Sequence, residues 1–133
     1  TDRRMPRFWI SIDDAVQFVV DSVQRMRHGG ELFVPRIPST RIIDLAEAIA
    51  PGCKIEETGI RPGEKLHEEM IAAEDSRRTR MFDDYYVMQP VLSAWGGETL
   101  MLGDPVPEGF CYRSDSNEDW LSVEQIRQLL LRL

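Results

Sequence analysis

The sequence predicts an α/β chain, and three observations carry that prediction. Apolar residues recur at helical spacing in three stretches, each opened by a serine or threonine. Between them lie short apolar runs rich in β-branched and aromatic residues, the composition of half-buried strands. Glycine and proline pairs (Gly29-Gly30, Pro51-Gly52 and Pro62-Gly63) separate the segments.

Residues 1–10 are basic and then apolar, as in a loop entering a short strand. Ser11 is a good helix N-cap, with Asp14 three residues on as a short capping box. Ile12, Ala15, Val16, Val19, Val20, Val23 and Met26 then form a broad stripe, and Gly29-Gly30 ends the helix. Its β-branched residues are poor helix formers, so the helix needs packing, and a stripe this broad asks for a large partner surface. Leu32-Phe33-Val34 reads as a short buried strand. Ser39 or Thr40 is expected to cap a second helix whose Ile42, Ile43, Leu45, Ala46 and Ile49 face inward, with Pro51-Gly52 as the stop. Lys54 to Thr58 alternates weakly, like an exposed strand. Leu66 to Ile71 fits a helical turn or a strand equally. Met81-Phe82 and Tyr85 to Met88 read as strand around Asp83-Asp84, and residues 90–110 as loop. Ser122 with Gln125 makes a capping box for a last helix, whose stripe is Val123, Ile126, Leu129, Leu130 and Leu133.

The 133 residues suit one domain with a modest core, and a hydrophobic content of 42% is ordinary for a globular chain. The net charge of −7 argues against nucleic acid or an anionic membrane as a general partner. No apolar run reaches the length of a membrane span. Cys53 and Cys111 make no disulfide framework, which favours a reducing, cytoplasmic setting, and Cys53 is expected to be a buried, inert thiol. His28 and His67 have no ligand spacing, so no metal site is expected. Asp13-Asp14 sits where a helix dipole favours negative charge, and Asp83-Asp84 is expected to bound a turn.

The most informative segment is Gly59-Ile60-Arg61-Pro62-Gly63-Glu64-Lys65-Leu66-His67. Proline presets φ and glycine accepts a positive one, so the turn holds its polar neighbours at a fixed angle. An arginine held this way can grip an anionic oxygen pair through two parallel hydrogen bonds. The alternative is a surface turn with solvated charges. A second segment, Arg7-Phe8-Trp9-Ile10-Ser11-Ile12-Asp13-Asp14-Ala15, places an arginine ahead of an apolar run and a helix start.

Together these two segments resemble the C-terminal half of the extended short-chain dehydrogenase/reductases, in particular the inverting UDP-N-acetylglucosamine 4,6-dehydratases. Gly29 to Ser39, Asp44 to Pro51, Phe82 to Val87 and Asn117 to Leu121 resemble further landmarks, and the similarity weakens only between about Pro90 and Gly109. The family's glycine-rich dinucleotide loop does not occur here. Nor does its Tyr-x-x-x-Lys pair: Tyr85, Tyr86 and Tyr112 are followed four places on by Gln89, Pro90 and Ser116. The resemblance therefore implies one region over residues 1–133, the substrate-binding portion of a larger enzyme without its N-terminal Rossmann core.

For the whole enzyme the resemblance implies a lyase in which tightly held NADP takes hydride from sugar C4, water leaves across C5 and C6, and hydride returns to C6 with inversion at C5. The product would be a 4-keto-6-deoxy sugar nucleotide for surface glycan or flagellin glycosylation. NADP would belong to the N-terminal half, no catalytic residue falls in this chain, and the chain alone is expected to be inactive. The implied substrate contacts are Arg7 and Arg61 on the diphosphate, with Arg3 and Arg4 nearby, and Glu64, Lys65 and His67 around them. Arg7 and Arg61 are expected to converge within roughly 10 Å, about one Debye length at 0.1 M salt. The implied partners are a UDP-sugar, the Rossmann half and further copies of the full-length enzyme. A UDP-sugar 4-epimerase, a retaining dehydratase and a non-catalytic binding or oligomerisation module are the competing readings.

Overall fold

The structure, a computed structural model, describes residues 2–27, 29–90 and 102–131. The chain divides into two compact units. The first comprises Thr1–Trp9, Ile37–Glu69 and Arg113–Leu133, and the second Ile10–Arg36 and Met70–Tyr112.

In the first unit, β1 (Pro6–Phe8) pairs antiparallel with β3 (Ser39–Arg41), with Arg7 opposite Thr40. The expected cap at Ser39 or Thr40 is not formed. Both residues lie in β3 and are fully buried, and the N-cap of α2 (Ile42–Ile49) is Arg41, which makes no side-chain cap bond. The polar groups of Ser39 are already used, since its N–H donates to the Asp119 carbonyl and its Oγ accepts from Asn117 Nδ2. α2 packs against α3 (Val123–Leu130), whose Ser122 and Gln125 form the full capping box. Ile126 of α3 is completely buried, and Met5 is 1% exposed. On α2 the buried residue is Ala48, while Ile49, expected to face inward, lies 62% exposed. Trp120 anchors the approach to α3: its indole N–H donates to the Asn117 carbonyl, and Arg41 lies over its ring.

Residues 54–58 are not a strand. They are mostly charged and exposed, and among the described residues no strand pairs with them, so their weak alternation has no sheet face to bury. Cys53 is exposed rather than buried, because it follows the turn at Pro51-Gly52 on the surface.

In the second unit, β2 (Leu32–Pro35), β6 (Tyr85–Met88), β5 (Thr79–Met81) and β7 (Asp104–Pro105) form an antiparallel sheet in that order. The short strand β4 (Glu69–Ile71) precedes the 3-10 turn Ala73–Arg78, which leads into β5. Asp83 and Asp84 sit in the β5–β6 turn, where their carbonyls accept from Arg36. Val34, Ile71, Tyr86, Val87, Met88, Val106 and Tyr112 are its buried apolar residues, and the Tyr86 ring meets Phe110 and Tyr112 at 5.3 and 5.1 Å. Of the residues expected to form a loop, 91–101 lie outside the described ones, and Asp104–Pro105 is the short strand β7.

Helix α1 (Ile12–Arg25) begins at Ser11, whose hydroxyl accepts the Asp14 N–H as the sequence suggests. None of its residues is buried. The predicted stripe stands bare: Ile12 is 77% exposed, Val19 62% and Val23 66%. Leu32 of β2, read from sequence as buried, is 53% exposed as well. The amphipathic pattern is real, and its apolar face is uncovered by the chain's own described residues.

Candidate functional site

The segment from Arg61 to Glu68 forms a braced loop in the first unit. Glu64 N–H donates to the Arg61 carbonyl at 3.0 Å, closing a four-residue turn around Pro62-Gly63. Gly63 has φ +81°, the left-handed value that a proline-then-glycine turn of type II requires. A Cβ there would meet nothing within 4 Å, so the constraint on this position is backbone conformation and not space. The Glu64 carboxylate folds back to accept the Arg61 N–H at 3.0 Å, a second clasp across the same turn.

Arg7 ties this loop to β1. Its Nη1 donates to the carbonyls of Pro6 (2.7 Å) and Leu66 (3.1 Å), and its Nη2 to the carbonyl of Lys65 (3.2 Å) and to Met5 Sδ (2.8 Å). Nε lies 3.2 Å from Glu68 Oε1, and Nη2 lies 3.9 Å from Glu64 Oε1. The guanidinium thus holds the backbone of residues 65–66 and compensates two carboxylates. Glu64 connects the two arginines: one of its oxygens faces Arg7 and the other accepts from Arg61. Arg7 and Arg61 therefore belong to one loop assembly.

Arg61 differs from Arg7. It is exposed, and its guanidinium makes no hydrogen bond or ion pair among the described residues; the same holds for the Lys65 ammonium. Arg3 and Arg4, by contrast, are engaged locally. Arg3 pairs with Glu57, and Arg4 grips Asp2 through two side-chain hydrogen bonds of 2.9 and 2.7 Å. Hydrogen bonding to Arg4 draws the Asp2 carboxyl down to about 2.

Residues 113–115, which the sequence does not single out, brace the loop from another side. Ser114, fully buried, donates its N–H to the Glu68 carbonyl, and its hydroxyl accepts the Glu68 N–H, both at 2.9 Å. The same hydroxyl donates to the Pro6 carbonyl at 3.4 Å. Arg113 grips Asp115 through bonds of 3.0 and 2.6 Å. That grip, with His67 nearby, holds the Asp115 carboxyl below its ordinary value. His67 Nδ1 stands 3.5 Å from Asp115 Oδ2. The one visible signal was a serine between an arginine and an aspartate just ahead of Asn117, a pattern with no spacing rule to flag it.

A rigid turn that leaves a guanidinium and an ammonium unneutralised can bind an anion, because the donors are ordered before the ligand arrives. The five residues singled out from the sequence (Arg7, Arg61, Glu64, Lys65 and His67) are brought onto this one loop or directly against it. Among the described residues no helix is long and apolar enough to cross a membrane.

The class follows from comparison with known proteins. A family model described as polysaccharide biosynthesis protein matches residues 1–90, and the chain belongs to that family. Among curated relatives, a protein named UDP-N-acetylglucosamine 4,6-dehydratase (inverting), from Campylobacter jejuni subsp. jejuni serotype O:23/36 (strain 81-176), is 43% identical over 98% of this chain and 41% of its own length. A UDP-glucose 4-epimerase of Rickettsia canadensis is 33% identical over 100% of this chain and 40% of its own. Among solved structures, Pen from Bacillus thuringiensis superposes with a TM-score of 0.77 at 27% identity, over 100% of this chain and 39% of that one. The chain spans about two fifths of the length of the relatives it matches.

Proposed function

We propose that this chain is the UDP-sugar-binding part of an inverting UDP-N-acetylglucosamine 4,6-dehydratase. The observation that carries the reading is the 43% identity to such an enzyme across 98% of the chain. The braced Arg61 loop supplies the physical support.

In this reading Arg61 takes the diphosphate with its planar fork, and Lys65 adds a mobile positive charge. Arg7 fixes the loop and meets the same diphosphate, which displaces its long 3.9 Å contact with Glu64. Glu64 accepts hydrogen bonds from ribose or sugar hydroxyls, and Lys65 and His67 approach the uridine or the phosphates. A ligand as anionic as a nucleoside diphosphate needs such local charge on a protein of net charge −7. Binding energy gathered at the nucleotide end positions the reacting sugar carbon elsewhere in the enzyme.

The residues of this chain do not fit a dinucleotide. The glycine-rich loop that would cradle a pyrophosphate is missing, and none of its three tyrosines is followed by lysine four places on. NADP and the redox steps therefore belong to the other half of the enzyme. The bare face of α1 is the surface against which that half packs, which accounts for an apolar stripe left uncovered by the described residues. The assembled enzyme is cytoplasmic and associates with further copies of itself.

Mixing the purified chain with NADP and UDP-N-acetylglucosamine should give no 4-keto product, whereas the same chain joined to a dinucleotide-binding half should. Turnover by the chain alone would defeat the proposed division of labour. The identity to a UDP-glucose 4-epimerase favours a second reading, an epimerase of the same superfamily. The joined enzyme separates the two: accumulation of a 4-keto-6-deoxy product marks the dehydratase, and interconversion of C4 epimers without loss of water marks the epimerase.

A further inference from the structure

The loop's histidine has a partner outside the family landmarks. Of the two His67 ring nitrogens, Nδ1 lies 3.5 Å from Asp115 Oδ2, and Nε2 has no hydrogen-bond partner among the described residues. Asp115 is itself fixed. Arg113 holds both of its oxygens, and Ser114 beside it is buried and bonded to both backbone groups of Glu68, the residue after His67. The carboxylate and the imidazole are thus carried by two segments locked to each other at adjacent residues. A carboxylate at one imidazole nitrogen selects the tautomer and fixes the ring, which determines what the other nitrogen can do.

We propose that Asp115 is a positioning residue of the Arg61 site: it holds His67 through Nδ1, so that Nε2 is left as the acceptor that receives an N–H or hydroxyl donor of the bound sugar nucleotide. The inference rests on the reading of this loop as a UDP-sugar site. Asp115 touches no ligand in this scheme; it acts through His67. Arg113, by binding the far side of the same carboxylate, keeps Asp115 from turning away. Glu64 and Glu68, the other acidic side chains of the loop, face Arg7, leaving Asp115 as the carboxylate paired with His67.

Two measurements test the proposal. Long-range 1H–15N spectra recorded at alkaline pH report the tautomer without any ligand. Wild type shows His67 protonated at Nδ1. Asp115→Ala shifts it to the Nε2-protonated form that free imidazole prefers, Asp115→Asn, whose oxygen stays with Arg113 and whose NH2 donor faces Nδ1, does the same, and Asp115→Glu, which keeps a carboxylate acceptor, retains more of the Nδ1 form. An Nε2-protonated ring in wild type, or a tautomer indifferent to Asp115→Ala, overturns the assignment.

Calorimetric titration with UDP and with UDP-N-acetylglucosamine supplies the second test. Asp115→Ala weakens binding about tenfold, the effect of one lost hydrogen bond, and by less than about twofold in a His67→Gln background, where the partner it acts through is gone. Loss with both ligands identifies a donor of the uridine, its uracil N–H or a ribose hydroxyl, as the Nε2 contact, and loss with the sugar nucleotide alone identifies a sugar hydroxyl. Equal losses in the two backgrounds, with the fold intact by circular dichroism, assign Asp115 a general structural role and overturn the proposal. Failure of wild type to bind either ligand defeats the UDP-sugar reading, while the tautomer spectra still decide whether Asp115 holds His67.

Discussion

Helices α1 and α3 look alike in sequence and differ in the structure. Each starts at a serine whose hydroxyl accepts a backbone N–H three residues on, and each carries an apolar stripe. α3 is only 8 residues long, yet Ile126 at its centre is fully buried and the helix packs on α2. α1 has 14 residues and buries none of them. A helix of that length rich in valine gains little from propensity, and most helical stability comes from covering the apolar face. The comparison teaches that an amphipathic pattern specifies that a face will be covered, without specifying by what. For α3 the cover lies in this chain; for α1 the proposed cover is a dinucleotide-binding half.

The comparison can be broken most sharply at Ile126. Ile126→Ala should cost about 2–5 kcal/mol, the range for truncating a fully buried branched side chain, seen as a large fall in denaturant midpoint. Removing the cap of the same helix with Ser122→Ala should cost about 1 kcal/mol, measured in the same way. Val19→Ala and Val23→Ala on α1 should change the stability of the chain by no more than about 0.5 kcal/mol, as expected for surface positions. Those two substitutions should instead weaken assembly with a dinucleotide-binding half, read out by sedimentation. A loss at Val19 comparable to that at Ile126 would show that α1 is already packed.

A smaller, pH-dependent contribution comes from Asp115. Its carboxyl is held below the ordinary value of 3.8 by the Arg113 hydrogen bonds and by His67. A carboxyl lowered in the folded state stabilises it fully above that ordinary value. The contribution is lost as pH falls below 3.8 and through the lowered pKa. Carboxyl NMR shifts of Asp115 should therefore titrate at lower pH than those of an unfolded reference, and a midpoint at or above 3.8 would contradict the pairing.

Much of this was legible in the sequence because it is local. The Ser11 and Ser122 caps, the Pro62-Gly63 turn and the Asp83-Asp84 turn depend on residues within four positions of one another, where spacing rules apply. Ser39 and Thr40 misled because a helix-capping residue and a buried strand residue look the same until the partner strand, β1, is known. Cys53 misled because a hydrophobic residue type says nothing about a particular surface turn. The brace of the site was invisible for the same reason as the β1–β3 pair: Ser114 meets Glu68 across 46 positions and Pro6 across 108, and such contacts have no sequence period. The resemblance makes the side chain of Arg7 a ligand contact, and the structure adds that its terminal nitrogens bind the carbonyls of Pro6 in β1 and of Lys65 and Leu66 in the loop.

The claim on which the account depends is that the Arg61 turn holds the diphosphate of a UDP-sugar through a two-pronged guanidinium contact. Calorimetric titration of UDP-N-acetylglucosamine into wild type and Arg61→Lys tests it most directly. Lysine keeps the charge and loses the fork, so each charge-assisted hydrogen bond lost should cost about 1.5–3 kcal/mol of binding free energy. An affinity unchanged by Arg61→Lys would return Arg61 to the status of a solvated surface charge and remove the diphosphate from this loop.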